Sequence, residues 1–284
     1  MPAPTSPALI VTADDFGLAR EVNEAVEAAH RGGILTAASL MVGAAAAGEA
    51  VAIARRLPSL RVGLHLVLLE DRPALPPSAV PDLVDAEGNF RRDLVRAGAG
   101  MFFRPSVRRQ LAAEIAAQFE AFRATGLPLD HVNAHKHYHL HPTVAAFVLA
   151  IGPRYGMRAL RVPLEPASVI RSIGPRQGRA TATVMAPWSR LLGRRARRQG
   201  LLVPDAVFGL AWTGAMTGER IRALLPRLGP GVSEIYTHPA TSDGFAGAAP
   251  GYRYAEELAG LADRETRRLA AEAGLRLAGF GDLS

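Results

Sequence analysis

The sequence predicts an α/β fold in which a parallel sheet is covered by helices. Three observations predict it: strand-like and helix-like runs alternate over most of the 284 residues, 49% of the residues are hydrophobic, and no linker or internal repeat forces a domain boundary. One domain spanning 1–284 is therefore expected.

Ala8 to Ala13 reads as a buried strand. Glu21 to His30 follows as a helix with Val22, Ala25, Val26 and Ala29 on one face, and Leu35 to Val42 as a second strand. Alanine-rich Ala44 to Leu57 forms the next helix and stops before Pro58. Arg61 to Leu68 is the third strand. The rhythm resumes with a helix from Ser106 to Thr125, a strand from Leu129 to Asn133, a helix from Thr143 to Tyr155 and a strand from Ala159 to Val162. It closes with a helix near Gly218 to Leu228, a strand from Val232 to Tyr236 and a terminal helix from Ala255 to Ala273. Two stretches break the pattern. Proline-rich residues 70–105 have few periodic apolar positions and read as a lid-like insertion. Residues 170–200 carry eight arginines interleaved with Met185, Trp188, Leu191 and Leu192, a mixture suited to peripheral contact with an anionic membrane surface.

Composition removes several classes of chemistry. Cysteine is absent, so disulfides, thiolate ligands and cysteine nucleophiles are excluded, and any metal must be held by nitrogen and oxygen. No basic residue precedes the apolar Ala8–Val11 stretch, and Asp14 and Asp15 follow it closely, which predicts a cytoplasmic chain without a signal peptide. The longest apolar region, Ala37 to Ala54, is alanine- and glycine-rich and interrupted by Glu49, so no membrane-spanning helix is expected. The net charge of +7 comes almost wholly from arginine, Lys136 being the sole lysine; charge alone does not argue for nucleic acid, and no such partner is expected.

Four places could carry chemistry. Asp14 and Asp15, in Thr-Ala-Asp-Asp-Phe-Gly, close the first strand; adjacent carboxylates repel unless a cation relieves them, although the pair also reads as a helix cap ahead of Glu21. His65 interrupts an apolar strand, where an imidazole is costly unless its nitrogens are bonded, and it reads either as a satisfied core residue or as a ligand. Five of the eight histidines, His131, His135, His137, His139 and His141, fall within eleven residues at a strand end. In an extended segment His135, His137 and His139 would share one side, and they cannot all reach one ion. Lys136 among them is expected to point away from any cation. His238, before Pro239, closes another apolar strand and reads equally as a turn residue. All four lie at C-terminal strand ends, where α/β barrels and open sheets assemble their sites. An aspartate with two histidines suits zinc or another divalent first-row metal better than magnesium.

These residues resemble the YdjC-like carbohydrate deacetylases: Ala13-Asp14-Asp15-Phe16-Gly17, Gly63-Leu64-His65, the histidine-rich segment from His135 to His139, and His238-Pro239 occur in the family's order. The resemblance implies a distorted (β/α) barrel of the YdjC/NodB-like deacetylase type and hydrolysis of N-acetyl groups on amino sugars. It implies one divalent metal ion on Asp15, His65 and His135, Asp14 as general base and His238 as general acid. His137, His139, Asn133 and Arg161 are implied as substrate-binding residues or supports of the ligands. The family commonly has Asp-Ser where Asn133 and Ala134 stand, and often histidine where Lys136 stands. His-Lys-His-Tyr-His-Leu-His-Pro, with Arg161-Val162-Pro163-Leu164-Glu165-Pro166 and Gly209-Leu210-Ala211-Trp212-Thr213-Gly214, resembles the branch associated with hopanoid biosynthesis. That branch implies an N-acetylglucosaminyl group on a lipid side chain as substrate, with a soluble chitooligosaccharide or a non-catalytic carbohydrate-binding barrel as alternatives. A homodimer stays open.

Overall fold

The computed structural model describes residues 7–91, 94–174 and 181–283. Its centre is β1 (Ala8–Phe16), all nine residues of which are buried, as expected of a parallel strand covered on both faces. Around it lie β2 (Ala37–Leu40), β3 (Arg61–Leu66), β4 (Val132–Ala134), β5 (Ala206–Phe208) and β6 (Val232–Thr237), in the order β4-β3-β2-β1-β6-β5, and every pair is parallel. A two-residue β7 (Arg276–Leu277) pairs with Ala8 and Leu9, before β2 joins β1 at Thr12.

The sheet curls into the predicted distorted barrel, and residues 158–164 stitch its two edges. Arg161 N–H donates to the Val132 carbonyl (3.0 Å), Leu160 N–H to that of Leu202 (3.0 Å), and Val207 N–H to that of Leu164 (3.1 Å). The expected Ala159–Val162 strand is thus present as isolated bridges rather than a full ladder. Pro163 and Pro166 follow it and have no N–H to donate.

Helices α1 (Arg20–Gly32), α2 (Ala47–Arg56), α3 (Leu94–Phe103), α4 (Pro105–Ala124), α5 (Pro142–Ile151), α6 (Ala167–Ile173), α7 (Thr181–Arg198) and α8 (Gly218–Leu224) surround the sheet. The predicted terminal helix is two, α9 (Tyr254–Ala262) and α10 (Arg264–Glu272). Asp263 separates them with extended backbone and caps α10 by accepting from Glu265 N–H (3.1 Å).

The described part of the 70–105 stretch is built into the fold. It contains α3, and Val80, Leu83, Val84 and Phe90 enter the core. Glu114, buried on α4, accepts from Ala74 N–H (2.8 Å) and Leu75 N–H (3.0 Å), which fastens the stretch down. Of the described residues in it, only Glu70 and Asp71 line the main cavity. Of the arginine-rich stretch, α6 and α7 are described, whereas 175–180 lie outside the described residues. Among the described residues no helix is long and apolar enough to cross a membrane.

Candidate active site

The strand ends converge on a cavity of about 850 Å³, with Asp14, Asp15, His65, His135, His137 and His238 in its wall. Two backbone irregularities build it. The β1–β2 register shifts between Ala13 and Phe16, and Asp15 takes a left-handed φ of 62°, unusual for a residue with a side chain. This lets two consecutive carboxylates both face the cavity. After β4 the chain does not stay extended: His135–Leu140 is a tight turn, with Lys136 (φ 51°) and His137 (φ 53°) also left-handed. The three histidines therefore do not share one side. His135 and His137 reach the cavity, while His139 turns inward and binds the Arg161 carbonyl through Nε2 (2.8 Å). Such conformations cost roughly 1–3 kcal/mol each and persist where the surroundings enforce them. Lys136 is held by an ion pair with Glu70 at the cavity rim.

One oxygen of Asp15 lies 3.3 Å from His65 Nε2 and 3.1 Å from His135 Nδ1. The three side chains offer one donor atom each, all within 4.8 Å of one another. Although burial pushes the Asp15 carboxyl up, the two imidazoles hold it well below the usual carboxylate range. One carboxylate and two imidazoles converging in a buried corner fit a divalent cation, and the nitrogen donors favour zinc-like metals over magnesium.

Asp14 has a different environment. Its Oδ1 accepts from Asn133 Nδ2 (3.0 Å) and its Oδ2 from Arg161 Nη1 (2.5 Å). Burial opposes ionisation, yet the Arg161 guanidinium and the neighbouring imidazoles keep Asp14 a carboxylate at any ordinary pH. Arg161 is itself wholly buried, shared between Asp14 and Glu234 (2.7 Å), and lies 4.8 Å from the Tyr236 ring centre. Arg161 and His139 are thus supports beneath the cavity rather than parts of its wall. Asn133 supports two groups at once, since its Oδ1 also meets His65 Nδ1 at 2.7 Å.

His137 Nε2 meets the Tyr236 hydroxyl at 2.9 Å, its Nδ1 is buried without a hydrogen-bond partner among the described residues, and burial together with Arg161 keeps the ring neutral. His238 is oriented by its backbone, whose N–H donates to Glu257 (2.5 Å). Its ring packs against Tyr236 and Tyr252 and makes no hydrogen bond to another described side chain.

Comparison with known proteins identifies the family. The family described as "YdjC-like protein" matches residues 8–272. The chain belongs to the YdjC-like family. Among similar proteins, a carbohydrate deacetylase of Geobacillus stearothermophilus is 32% identical over 272 residues, 94% of each chain. A carbohydrate deacetylase of Brevibacillus brevis is 39% identical over 160 residues, 55% of this chain and 58% of the relative. A solved structure of a putative cellobiose-phosphate cleavage protein from Enterococcus faecalis V583 superposes with a TM-score of 0.77 at 26% identity, covering 99% of this chain and all of the other.

Several site residues escaped the sequence reading. Glu234 and Glu257 are buried carboxylates that hold Arg161 and the His238 backbone, and Ser39 touches Asn133. A glutamate inside the apolar run Val232 to Tyr236 was the available signal for Glu234. Ser39 in Ala-Ala-Ser-Leu carries no such mark.

Proposed function

We propose that the chain is a metal-dependent hydrolase that removes the N-acetyl group from an amino sugar. The observation that carries this reading is Asp14, paired with the Arg161 guanidinium, beside the Asp15–His65–His135 cluster in one cavity whose wall also holds His238. The carbohydrate deacetylases of Geobacillus and Brevibacillus support the substrate class.

Asp15, His65 and His135 would hold a divalent ion, zinc rather than magnesium on ligand chemistry, and such an ion supplies Lewis-acid activation of the acetamide carbonyl and of water. In this reading Asp14 takes a proton from the water that attacks the acetyl carbon, and His238 gives a proton to the amine nitrogen as the C–N bond breaks. Acetate and the free amino sugar result. Asp14 is a weak base with Arg161 on one oxygen, so most of the driving force for proton removal has to come from the water's activation rather than from the carboxylate. His238 suits the acid role because its ring nitrogens are not engaged by other described side chains.

For the substrate's other end, the proposal is a lipid-linked N-acetylglucosaminyl unit such as acetylglucosaminyl bacteriohopanetetrol. Beside the cavity, the turn at 138–141 is contacted by α7 and α3. The Trp188 indole of α7 donates to the Leu140 carbonyl (2.7 Å), and the Phe102 ring of α3 lies 6.2 Å from that of His141. Phe102 and Phe103 are 48% and 76% exposed, Leu191 is 56% exposed, and Arg190, Arg194, Arg195 and Arg198 are exposed around Leu191. Exposed aromatic and cationic groups on neighbouring elements suit an anionic membrane surface at which such a substrate resides.

Acetate release by purified protein from that hopanoid and from diacetylchitobiose, before and after chelation and with zinc restored, tests the whole reading. Metal-dependent release from the hopanoid alone supports both reaction and substrate. Release from chitobiose alone keeps the reaction and overturns the lipid-linked substrate, and release from neither overturns both.

A further inference from the structure

A line of buried polar groups runs from Phe280 and Gly281 through Asp130, His131, Ser39 and Asn133 to His65; those before His65 lie outside the cavity wall, and the Arg161–Asp14 contact fixes the direction of its hydrogen bonds. Asp14, paired with Arg161, can only accept. The group of Asn133 facing it must therefore be the amide NH2, whose second N–H reaches Ser39 Oγ (2.9 Å). Asn133 Oδ1 is left facing His65 Nδ1 at 2.7 Å, a contact that is favourable only if Nδ1 carries the proton. Ser39, having accepted from Asn133, gives its own proton to His131 Nε2 (2.9 Å). His131 must then be protonated at Nδ1, from which it donates to Asp130 Oδ2 (2.9 Å). Asp130 is anchored by the N–H groups of Phe280 (3.3 Å) and Gly281 (2.7 Å).

The surroundings are shaped to this chain. Phe280 stacks on His131 with ring centres 4.4 Å apart. A Cβ on Gly63 would stand 2.5 Å from the His131 ring and carbonyl, so the glycine of Gly63-Leu64-His65 makes the room that His131 occupies. Ser39, His131 and Asn133 are all fully buried, where an unmade hydrogen bond is expensive and alternative arrangements are few.

We propose that Ser39 and His131 are positioning residues for the candidate metal ligand His65: they hold Asn133 in one amide orientation, which holds His65 in the tautomer whose Nε2 is free for a divalent cation. The opposite amide orientation would set Asn133 Oδ1 against the Asp14 carboxylate and a donor against His65 Nδ1, driving the ring proton to Nε2 and closing the ligand position. The inference rests on the metal-site reading under Proposed function, and its test separates the two.

Nitrogen-15 NMR of the metal-free, histidine-labelled protein at mildly alkaline pH reads the ring protonation directly. The expected result is Nδ1-protonated rings at both His65 and His131; an Nε2-protonated neutral ring at either overturns the proposal, whether or not the protein is an enzyme. Zinc titration of Ser39→Ala against a competing chelator is expected to show roughly tenfold weaker binding, the lower end of the 10–100-fold range for groups behind metal ligands. Ser39→Thr, which keeps the hydroxyl, is expected to recover affinity. Unchanged affinity in Ser39→Ala overturns the positioning role. An unsubstituted protein that binds no divalent metal overturns the metal-site reading and the positioning role with it, while the ring protonation still decides the direction of the hydrogen-bond chain.

Discussion

Arg161 Nη1 stands 2.5 Å from Asp14 Oδ2, with the arginine side chain entirely out of contact with solvent. A guanidinium in that position is charged whatever the pH, because the Asp14 and Glu234 carboxylates outweigh the cost of its burial. Removing it would leave two buried carboxylates facing each other's field.

Arg161→Met is therefore expected to cost about 3–5 kcal/mol of stability, the usual cost of breaking one side of a buried ion pair. Arg161→Lys should recover only part, since an ammonium cannot reproduce the fork that reaches Asp14 and Glu234 together. Chemical denaturation of the two variants checks this, and a Met variant as stable as the parent would show the pair to be dispensable.

His139 gives the fold an acid-sensitive element. Burial pushes its pKa down to about 3 from the ordinary 6.5. Its contribution is fully present above pH 6.5 and is lost as the pH falls toward 3, because the unfolded chain takes up a proton that the folded one refuses. Stability measured between pH 7 and pH 4 should fall more steeply for the parent than for His139→Gln, which has no titrating ring. Equal slopes would place the acid sensitivity elsewhere.

Gly63→Ala tests the close approach of His131 to β3. The added methyl would overlap backbone as well as ring, so the strand has to shift, and overpacking of this kind costs about 1–3 kcal/mol. Thermal melting should report the loss, while an unchanged midpoint would mean that the two elements give way easily.

His238→Ala should lower turnover by roughly 10²–10⁴-fold with little change in KM, the scale expected when a proton donor is removed and binding is kept. Steady-state kinetics on an acetylated amino sugar separates the two parameters. A rise in KM at constant kcat would reassign His238 to substrate binding.

Much of the fold was legible because its signals are local. The buried run of β1, the amphipathic face of α1 and the breaks before Pro58 and after Thr125 depend on neighbours a few residues away. The single-helix reading of 255–273 failed at Asp263, whose carboxylate competed for the backbone and began a new helix. Residues 70–105 read only as a lid-like insertion because what fastens them is remote: Glu114 on α4 holds Ala74 and Leu75.

By itself, the sequence determined the parallel α/β plan, the position of the candidate site at four strand ends and the residue types available there, since these follow from periodicity and from polar residues interrupting apolar runs. Only the tertiary structure decided how those residues divide their work. Left-handed backbone at Asp15, Lys136 and His137 turned His135 toward Asp15 and His139 away from the cavity. Contacts spanning 94 to 147 positions joined Ser39 to Asn133 and Asp14 to Arg161. Sequence spacing constrains groups within a turn or a strand; the direction of a hydrogen bond between distant strands is set by burial, which leaves each donor a single acceptor in reach.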